Sequence, residues 1–500
     1  MVTESLSLSC PSGTVINDSN PALTIPPGIT AHIFIKCLPT DGFANPSPST
    51  APLILAQIYR DWRNIALHTP ELWSSIHLEF FSKSRKLARG KKAADGAVHL
   101  FKTGASRAGN HPLSVGLNPR SKEFLAPPAL MEIPLEKPVY YRDVPSALLS
   151  FMSALAPQIQ RMEVHISPAQ LRQLRPLNTP LPFLQQLTTP HPEDDADLRD
   201  LLRNAPALRE LRLLGPSSSV KFSLPWLTSL EIDSGLSNAN TFIHILTHFP
   251  RLARLKCELR LGTMKYGPAI TTTGGPPRHP YLEFLALRGA DTSLALNHVT
   301  LSALDTLEIM YYPNLPVLLS FLTRSACALR RLVISMEKFQ PVELTAFLVA
   351  LPALESLQLI MCGDLDGVIR CLTQPALLPA LRTLEIAASH PKVDYAAILA
   401  FLHTCPPKLR VCRVAVEDPN PDMKHTARSM GMSEQECREV LGGDIFKVGA
   451  YVWPPAPAEA FMGLIAGGLD LLFTLRTRSR NAYVNTCWPD GVVVDASASE

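Results

Sequence analysis

The side chains best suited to chemistry in this sequence are a group of acids and a pair of histidines. Asp194, Asp195 and Asp197 lie within four residues, and His244 and His248 have the spacing that places two imidazoles on one face of a helix. The acids lack the frame of a calcium loop, and the histidines lack a third ligand nearby. Acids also favour a helix N-terminus, where the helix dipole stabilises negative charge. We therefore interpret both groups as structural.

Signatures of catalysis and nucleotide binding are absent from the sequence. It contains no Gly-x-Ser-x-Gly, His-Glu-x-x-His or Gly-x-Gly-x-x-Gly motif. Gly262 and Gly267 have the spacing of a phosphate-binding loop, but Pro268 stands where that loop needs lysine. The 10 cysteines include no Cys-x-x-Cys pair, so zinc-ribbon and thioredoxin-like sites are not expected. We expect a protein that is not an enzyme and that needs no cofactor or metal. A deep polar pocket with converging His, acid or Cys groups would favour an enzyme instead.

Composition narrows the class of protein further. The 500 residues are 46% hydrophobic and 18% charged, which is enough apolar material for a large core. The net charge is only +3, whereas a dedicated nucleic-acid binder is strongly basic. The apolar stretch 461–473 is shorter than the roughly 20 residues that cross a bilayer. With no basic and apolar signal region at the start, we expect a cytoplasmic or nuclear protein with no membrane or nucleic-acid partner.

The most informative pattern is a recurring Leu-x-x-Leu-x-Leu motif. Nine copies begin at residues 208, 227, 252, 282, 304, 329, 354, 381 and 409, and two weaker copies begin at 159 and 184. Their mean period of 25 residues falls within the range of leucine-rich repeats, in which a short strand alternates with a helical or irregular return.

Energetics require these repeats to stack. Burial of one aliphatic triad contributes about 6 kcal/mol, whereas ordering a repeat costs about 25–50 kcal/mol. No repeat is stable alone, so we predict an α/β solenoid of helix–strand repeats with a parallel sheet on its concave face.

Side chains between the leucines should line that face and contact an unknown protein target. Their mixed charges favour a protein over a phosphate backbone. The predicted target-binding residues are Glu210, Arg212, Glu231, Arg254, Lys256, Phe284, Glu308, Arg331, Gln358, Glu385 and Arg413.

A smaller module precedes the repeats. Ile29, Ile33 and Cys37 have the i, i+4, i+8 spacing of an apolar helix face, with proline at each end of the segment. A second helical pattern and a strand-like stretch follow, and we expect Trp62 and Trp73 to nucleate the core of the module.

The resulting domain prediction has five parts. A mobile leader spans 1–22, the helical module 23–80, a basic and proline-rich connector 81–150, the solenoid 151–420 and a tail 421–500. The connector carries a basic run that could be a nuclear address, a polyanion contact or a solvated face: Lys83, Arg85, Lys86, Arg89, Lys91 and Lys92. Within the tail, residues 461–473 predict either a helix that caps the solenoid or a docking segment.

The module also resembles a known family. The strings Ile25-Pro26, Cys37-Leu38-Pro39, Arg60-Asp61-Trp62-Arg63 and Thr69-Pro70-Glu71-Leu72-Trp73 are similar to the F-box-like module of the large F-box protein family of mushroom-forming fungi. This resemblance implies a substrate receptor of a Skp-cullin-F-box ubiquitin ligase, which docks on the Skp-type adaptor and through it on a cullin scaffold. The positions that the resemblance assigns to the module core or to adaptor binding are Ile25, Pro26, Ile29, Ile33, Phe34, Leu38, Pro39, Leu55, Ile58, Trp62, Ile65 and Trp73.

Two departures from the family pattern leave an alternative open. The family usually has an acid where Gly28 stands and a cysteine where Tyr59 stands. The alternative is a leucine-rich-repeat scaffold whose degenerate F-box no longer binds the adaptor.

Overall fold

The protein is described by a computed structural model. The structure describes residues 25–39, 43, 47, 49–79, 87–118, 146–166, 170, 180–191, 195–214, 220, 222–236, 239–259, 276–289, 292–310, 313–336, 339–374, 377–388, 395–404, 408–418, 464 and 469–477. The predicted leader and most of the predicted tail lie outside these residues.

The described residues form helices and parallel strands that alternate along most of the chain. The helices are α1 (Pro27–Lys36), α2 (Leu55–Ile58), α3 (Arg60–Leu67), α4 (Leu87–Ala108), α5 (Ser146–Leu155), α6 (Asp195–Arg203), α7 (Ala239–His248), α8 (Thr292–Asn297), α9 (Leu315–Ser325), α10 (Pro341–Val349), α11 (Leu365–Leu372) and α12 (Tyr395–Thr404). The strands are β1 (Ser75–Glu79), β2 (Leu113–Asn118), β3 (Ile159–Val164), β4 (Gln186–Pro190), β5 (Glu210–Leu214), β6 (Ser229–Leu236), β7 (Arg254–Leu259), β8 (Phe284–Arg288), β9 (Thr306–Met310), β10 (Arg331–Ser335), β11 (Ser356–Cys362), β12 (Thr383–Ala388), β13 (Val411–Asp418) and β14 (Asp470–Thr477).

The chain divides into two compact units. The first comprises residues 1–79 and 86–117, and the second comprises 80–85 and 118–500. The first unit contains helices α1 to α4, and the short 3₁₀ turn Pro70–Trp73 leads into β1. Phe34, Leu72, Trp73 and Phe101 are buried in its core.

The predicted helix α1 forms, but its apolar face with i, i+4 spacing is not the face that packs. Thr30 and Phe34 are buried, whereas Ile29 is 56% exposed, Ile33 is 44% exposed and Cys37 is also exposed. Because α1 is apolar on more than one side, spacing alone does not select the side that packs. The larger phenyl ring occupies the core instead.

The two tryptophans lie at different depths. Trp73 is buried, its indole N–H donates to the carbonyl oxygen of Ala66 at 2.8 Å, and the guanidinium of Arg107 lies 4.3 Å from its ring centroid. Trp62 is half-buried and meets Phe34 edge-to-face, with ring centroids 5.2 Å apart. Trp73 is thus a central core residue, and Trp62 lies at the rim of that core.

Part of the predicted connector is regular structure of the first unit. Helix α4 contacts the Pro70–Trp73 turn and β1, and three residues of β2 are fully buried: Leu113, Val115 and Leu117. The proline-rich composition that suggested a connector begins only at Pro119, which explains the difference. Of the basic run, the last three residues fall within α4, and the first three lie outside the described residues.

The second unit is a stack of parallel strands. Strands β3 to β14 follow one another in sheet order, and each pairs in parallel with the next. Helices lie between most successive strands and contact their neighbours, as α9 contacts α10. This arrangement confirms the predicted α/β leucine-rich-repeat solenoid.

Register follows the leucine motif. Leu332 aligns with Leu307 on one side and with Leu357 on the other, and all three are fully buried. Every predicted motif coincides with a strand from β3 to β13. Apart from Leu409, which is half-buried, the residues of these triads are buried. The solenoid core is therefore the motif itself, repeated in register.

A strand covers residues 470–473 of the segment 461–473, which was expected to be a capping helix or a docking segment. Residues 470–477 form β14, which pairs with β13 so that Leu471 aligns with Cys412 and Phe473 with Val414. This segment is a further repeat that the motif search missed, because Gly468 occupies the sequence position of the first leucine. The prediction of a helix over residues 470–473 was wrong.

Specific residues fix the ends of several elements. Helix α6 begins at Asp195, as the acid cluster predicts. The Asp364 carboxylate accepts a hydrogen bond from the Gly367 amide at 2.9 Å and caps α11. Gly289, with φ at +103°, follows β8, where a β-carbon would collide with the carbonyl oxygen of Leu259. Only glycine fits this close approach between consecutive repeats.

Candidate interaction surfaces

The first unit exposes large aliphatic side chains on two short helical segments. On α1, Ile29 and Ile33 point to solvent, and in the α2 region Ile54, Ile58 and Tyr59 do so. Ile58 is 56% exposed. We call the four isoleucines the exposed aliphatic set, and the exposed Tyr59 follows Ile58 directly. Single exposed apolar residues are common, but several on adjacent segments of one small module are typical of a binding surface.

The residues assigned by the family resemblance divide between the core and this set. Phe34, Leu55 and Trp73 are buried. The residues that are half-buried are Ile25, Leu38, Trp62 and Ile65, and those that are exposed are Pro26, Ile29, Ile33, Pro39 and Ile58. Ile54 and Tyr59 were missed, although Ile54 precedes Ile58 by one helical turn and could have been found from that spacing.

Gly28 does not interrupt α1. It lies in the first turn of the helix, after Pro26 and Pro27, and a β-carbon there would meet nothing within 4 Å. The departure from the family pattern at this position therefore leaves the helix intact.

The second unit presents two rows of side chains on the sheet face opposite its leucines, which we call the open face. The first row runs in register through Arg254, Phe284, Thr306 and Arg331. The second row lies two residues further along each strand. From β5 to β13 it consists of Arg212, Glu231, Lys256, Ala286, Glu308, Val333, Gln358, Glu385 and Arg413.

Strands β5 to β7 carry a network of ion pairs on this face. Arg212 Nη2 lies 2.7 Å from Asp233 Oδ2, and its Nε lies 3.8 Å from Glu231 Oε2. Lys256 Nζ lies 2.5 Å from Glu231 Oε1. These charges largely satisfy one another, so this section offers little unpaired charge to a partner. Asp233 is a member that the motif analysis missed, because it follows the second row by two positions.

Burial and the two cations set the protonation of these acids. Burial raises the pKa of the Glu231 carboxyl, but the hydrogen bond from Lys256 and the positive charges of Arg212 and Lys256 outweigh it, and the pKa lies below its usual value. For Asp233, burial and the neighbouring charge of Glu231 outweigh Arg212, and the pKa lies above its usual value. Glu231 thus stabilises the fold above its unfolded pKa, and this contribution is lost as pH falls through its folded pKa.

A second ion-paired section lies at the far end of the sheet. Arg413 Nη1 is 3.4 Å from Glu385 Oε1, and Arg413 Nη2 is 3.5 Å from Asp470 Oδ2. Asp470 belongs to β14 and was not foreseen.

Three residues in the middle of the second row are buried, on either side of the half-buried Glu308. Ala286 and Val333 are buried although they alternate with the leucines, and Gln358 is only 8% exposed. Of the predicted target-binding residues, Gln358 is therefore not available as an exposed contact. In register it lies between Val333 and Glu385, which occupy the same row on the adjacent strands.

The first row contains a stacked cation. The guanidinium carbon of Arg254 lies 4.4 Å from the ring centroid of Phe284, its partner in register on the next strand. Within the described part of the chain, Arg254 has no carboxylate within ion-pair distance, and neither does Arg331. The open face thus combines neutralised sections with a few unpaired cations.

The histidine pair is structural in its geometry. The rings of His244 and His248 stack with centroids 3.8 Å apart and an angle of 12° between their planes. Nδ1 of His248 lies 2.9 Å from the carbonyl oxygen of His244. Among the described residues, no group of three or more His, Cys, Asp or Glu side chains is arranged to hold a metal ion. The glycine pair at 262 and 267 lies outside the described residues.

A cavity of about 190 Å³ opens beside the loops that follow β9 and β10. It is lined by Pro313, Asn314, Leu315, Pro316, Met336, Phe339 and Glu343, of which Glu343 is the ionisable residue. Of the helices that the structure describes, none combines the length and the apolar character that a membrane crossing requires.

Comparison with solved structures finds similar chains at low sequence identity. A leucine-rich repeat-containing protein, LegL7 from Legionella pneumophila, is 12% identical, and the match covers 73% of this chain and 95% of that one with a TM-score of 0.27. The structure of a TLR13–ssRNA13 complex is 12% identical over 66% of this chain and 60% of that one, with a TM-score of 0.21. No family model and no curated protein matches the chain.

Proposed function

We propose that this protein is a non-catalytic interaction adaptor that serves as the substrate-recognition subunit of a Skp-cullin-F-box type ubiquitin ligase. The observation that carries this proposal is the exposed aliphatic set on a module whose sequence resembles an F-box. The first unit would bind the Skp-type adaptor, and the open face of the second unit would hold the protein target.

Solvent exposure supports an adaptor-binding role for Ile33 and Ile58. Neither side chain is part of the buried core. Their exposure to water is unfavourable, and it is not offset by apolar contacts within the unit. An apolar partner surface that covers them would gain the burial of both. Interfaces of this kind concentrate their binding energy in a few central apolar residues.

The test uses the intact protein and purified Skp-type adaptor in calorimetry or co-precipitation. The double substitution Ile33→Ser with Ile58→Ser should weaken binding by at least about tenfold, since two burials of about 1–2 kcal/mol each are lost. A matched control is Val342→Ser, which removes an 81% exposed valine from the second unit and should leave binding unchanged.

Absence of binding by the intact protein would reject the proposal. The alternative would then apply, a leucine-rich-repeat scaffold with a degenerate F-box. Its signature is a partner of the second unit that still binds after substitution of the exposed aliphatic set.

A further inference from the structure

We infer that the stacked pair Arg254 and Phe284 is a recognition point for carboxylate side chains, so that the open face selects a target through an acidic protein segment. The inference deepens the proposed function and depends on its statement that the open face binds the target. It commits to the chemistry of that target, which the fold alone does not specify.

The pairing state of the arginines sets Arg254 apart. Arg212 and Arg413 each contact two carboxylates of neighbouring strands, and Arg330 and Arg382 each face one, at 3.6 Å and 3.5 Å. Arg254 is exposed and has no such partner within the described part of the chain. Its positive charge is available to a ligand.

The stacked geometry prepares this arginine for a carboxylate. The guanidinium carbon lies over the phenyl ring, and this cation–π contact leaves N–H donors of the guanidinium available to a ligand. The stack restricts rotation of a long side chain, which lowers the entropic cost of binding. The planar fork matches the two oxygens of a carboxylate.

Neighbouring residues favour an acidic protein segment over a nucleic acid. Arg251 is exposed three residues before Arg254, and Tyr281, at the equivalent position of the next repeat, is 60% exposed. Aromatic and arginine side chains together are typical of binding hot spots between proteins. Glu283, also exposed, and the ion-paired Glu231 on β6 disfavour a continuous phosphate backbone, which requires a basic stripe.

The experiment measures fluorescence anisotropy with the full chain at an ionic strength of about 0.15 M, where exposed charges more than about 8 Å apart are largely screened from one another. The probe is a fluorescein-labelled peptide of alternating glutamate and serine, and its twin carries glutamine in place of glutamate. The acidic peptide should bind and its twin should not. Arg254→Gln should weaken binding by about tenfold, and Arg254→Lys, which keeps the charge but loses the fork and the stack, by about fivefold.

Arg203→Gln is the control, because it removes an exposed cation from the last turn of α6, which is not part of the open face. It should change binding by less than about twofold. Equal effects of Arg254→Gln and Arg203→Gln, or full binding by Arg254→Lys, would overturn the inference. So would tighter, Arg254-dependent binding of a single-stranded oligonucleotide of equal charge, or no binding of the acidic peptide.

These outcomes are separable from those of the adaptor experiment. Every substitution here lies in the second unit, whereas adaptor binding is tested through the first. Arg254-dependent peptide binding without adaptor binding would leave this inference standing and reject the ubiquitin-ligase role. Adaptor binding without peptide binding would overturn this inference and leave the ubiquitin-ligase role standing.

Discussion

Aliphatic residues lie in opposite environments in the two units. In the second unit, the motif leucines are buried almost without exception and align strand by strand. In the first, Ile29 and Ile33 on α1, and Ile54 and Ile58 at α2, have the regular i, i+4 spacing of a helix and face solvent. The difference shows that spacing within one helix identifies an apolar face but does not tell whether other residues pack on it. A motif that repeats on successive paired strands does tell this, because each copy packs on the next.

The largest expected effect is a loss of stability on substitution of a buried leucine in the second unit. Leu332→Asp places a carboxylate in a core shared by three strands and should lower the free energy of unfolding by more than about 4 kcal/mol, unfolding neighbouring repeats. Arg331→Glu, one residue earlier on the open face, should change it by less than about 0.5 kcal/mol. Urea denaturation followed by circular dichroism measures both. An unchanged spectrum for Leu332→Asp would show that the strand register is wrong.

A smaller effect tests the first unit in the same way. Phe34→Ala removes a buried ring that contacts Trp62 and should cost about 3–5 kcal/mol. Ile33→Ser, on the adjacent but exposed position of α1, should cost about 0.5 kcal/mol or less. Thermal unfolding monitored by tryptophan fluorescence distinguishes them. Equal losses would mean that α1 packs through its isoleucines after all.

The smallest effect concerns how helices begin in the two units. Helix α1 has no side-chain cap and starts with prolines, whereas α11 is capped by Asp364. Asp364→Ala should therefore lower the free energy of unfolding by about 1 kcal/mol, and Asp364→Asn, which keeps an acceptor oxygen, by only a few tenths. Urea denaturation of both variants measures the difference. Equal losses in the two variants would indicate that the neutral acceptor oxygen contributes nothing and that the carboxylate charge accounts for the effect.

Sequence reasoning predicted the second unit better than the first for a physical reason. Eleven motifs report on one packing solution, so the leucine positions identify strands, register and core together. The exception is β14, where Gly468 removes one leucine and the remaining apolar run resembles a helix as much as a strand. A continuous apolar run does not distinguish a helix from a strand, because it lacks the polar positions that reveal a period of 3.6 or 2 residues.

The candidate surfaces were less predictable than the fold. Alternation placed Arg212, Glu231 and Arg413 on the open face, but the pairing of the two arginines with Asp233 and Asp470 depends on contacts between side chains of adjacent repeats, which the spacing within one repeat does not reveal. Gln358 shows that alternation does not predict exposure. Alternation placed it on the open face as well, yet its low exposure is set by the side chains around it.

Gly289 has a consequence for protein engineering. Its missing side chain lets the loop after β8 press against the main chain at the end of β7, so these two repeats are joined by a contact that tolerates no β-carbon. A designer who rebuilds the array from an averaged repeat would have to keep glycine at this one junction. The repeats are therefore not interchangeable parts, even where their leucines are identical.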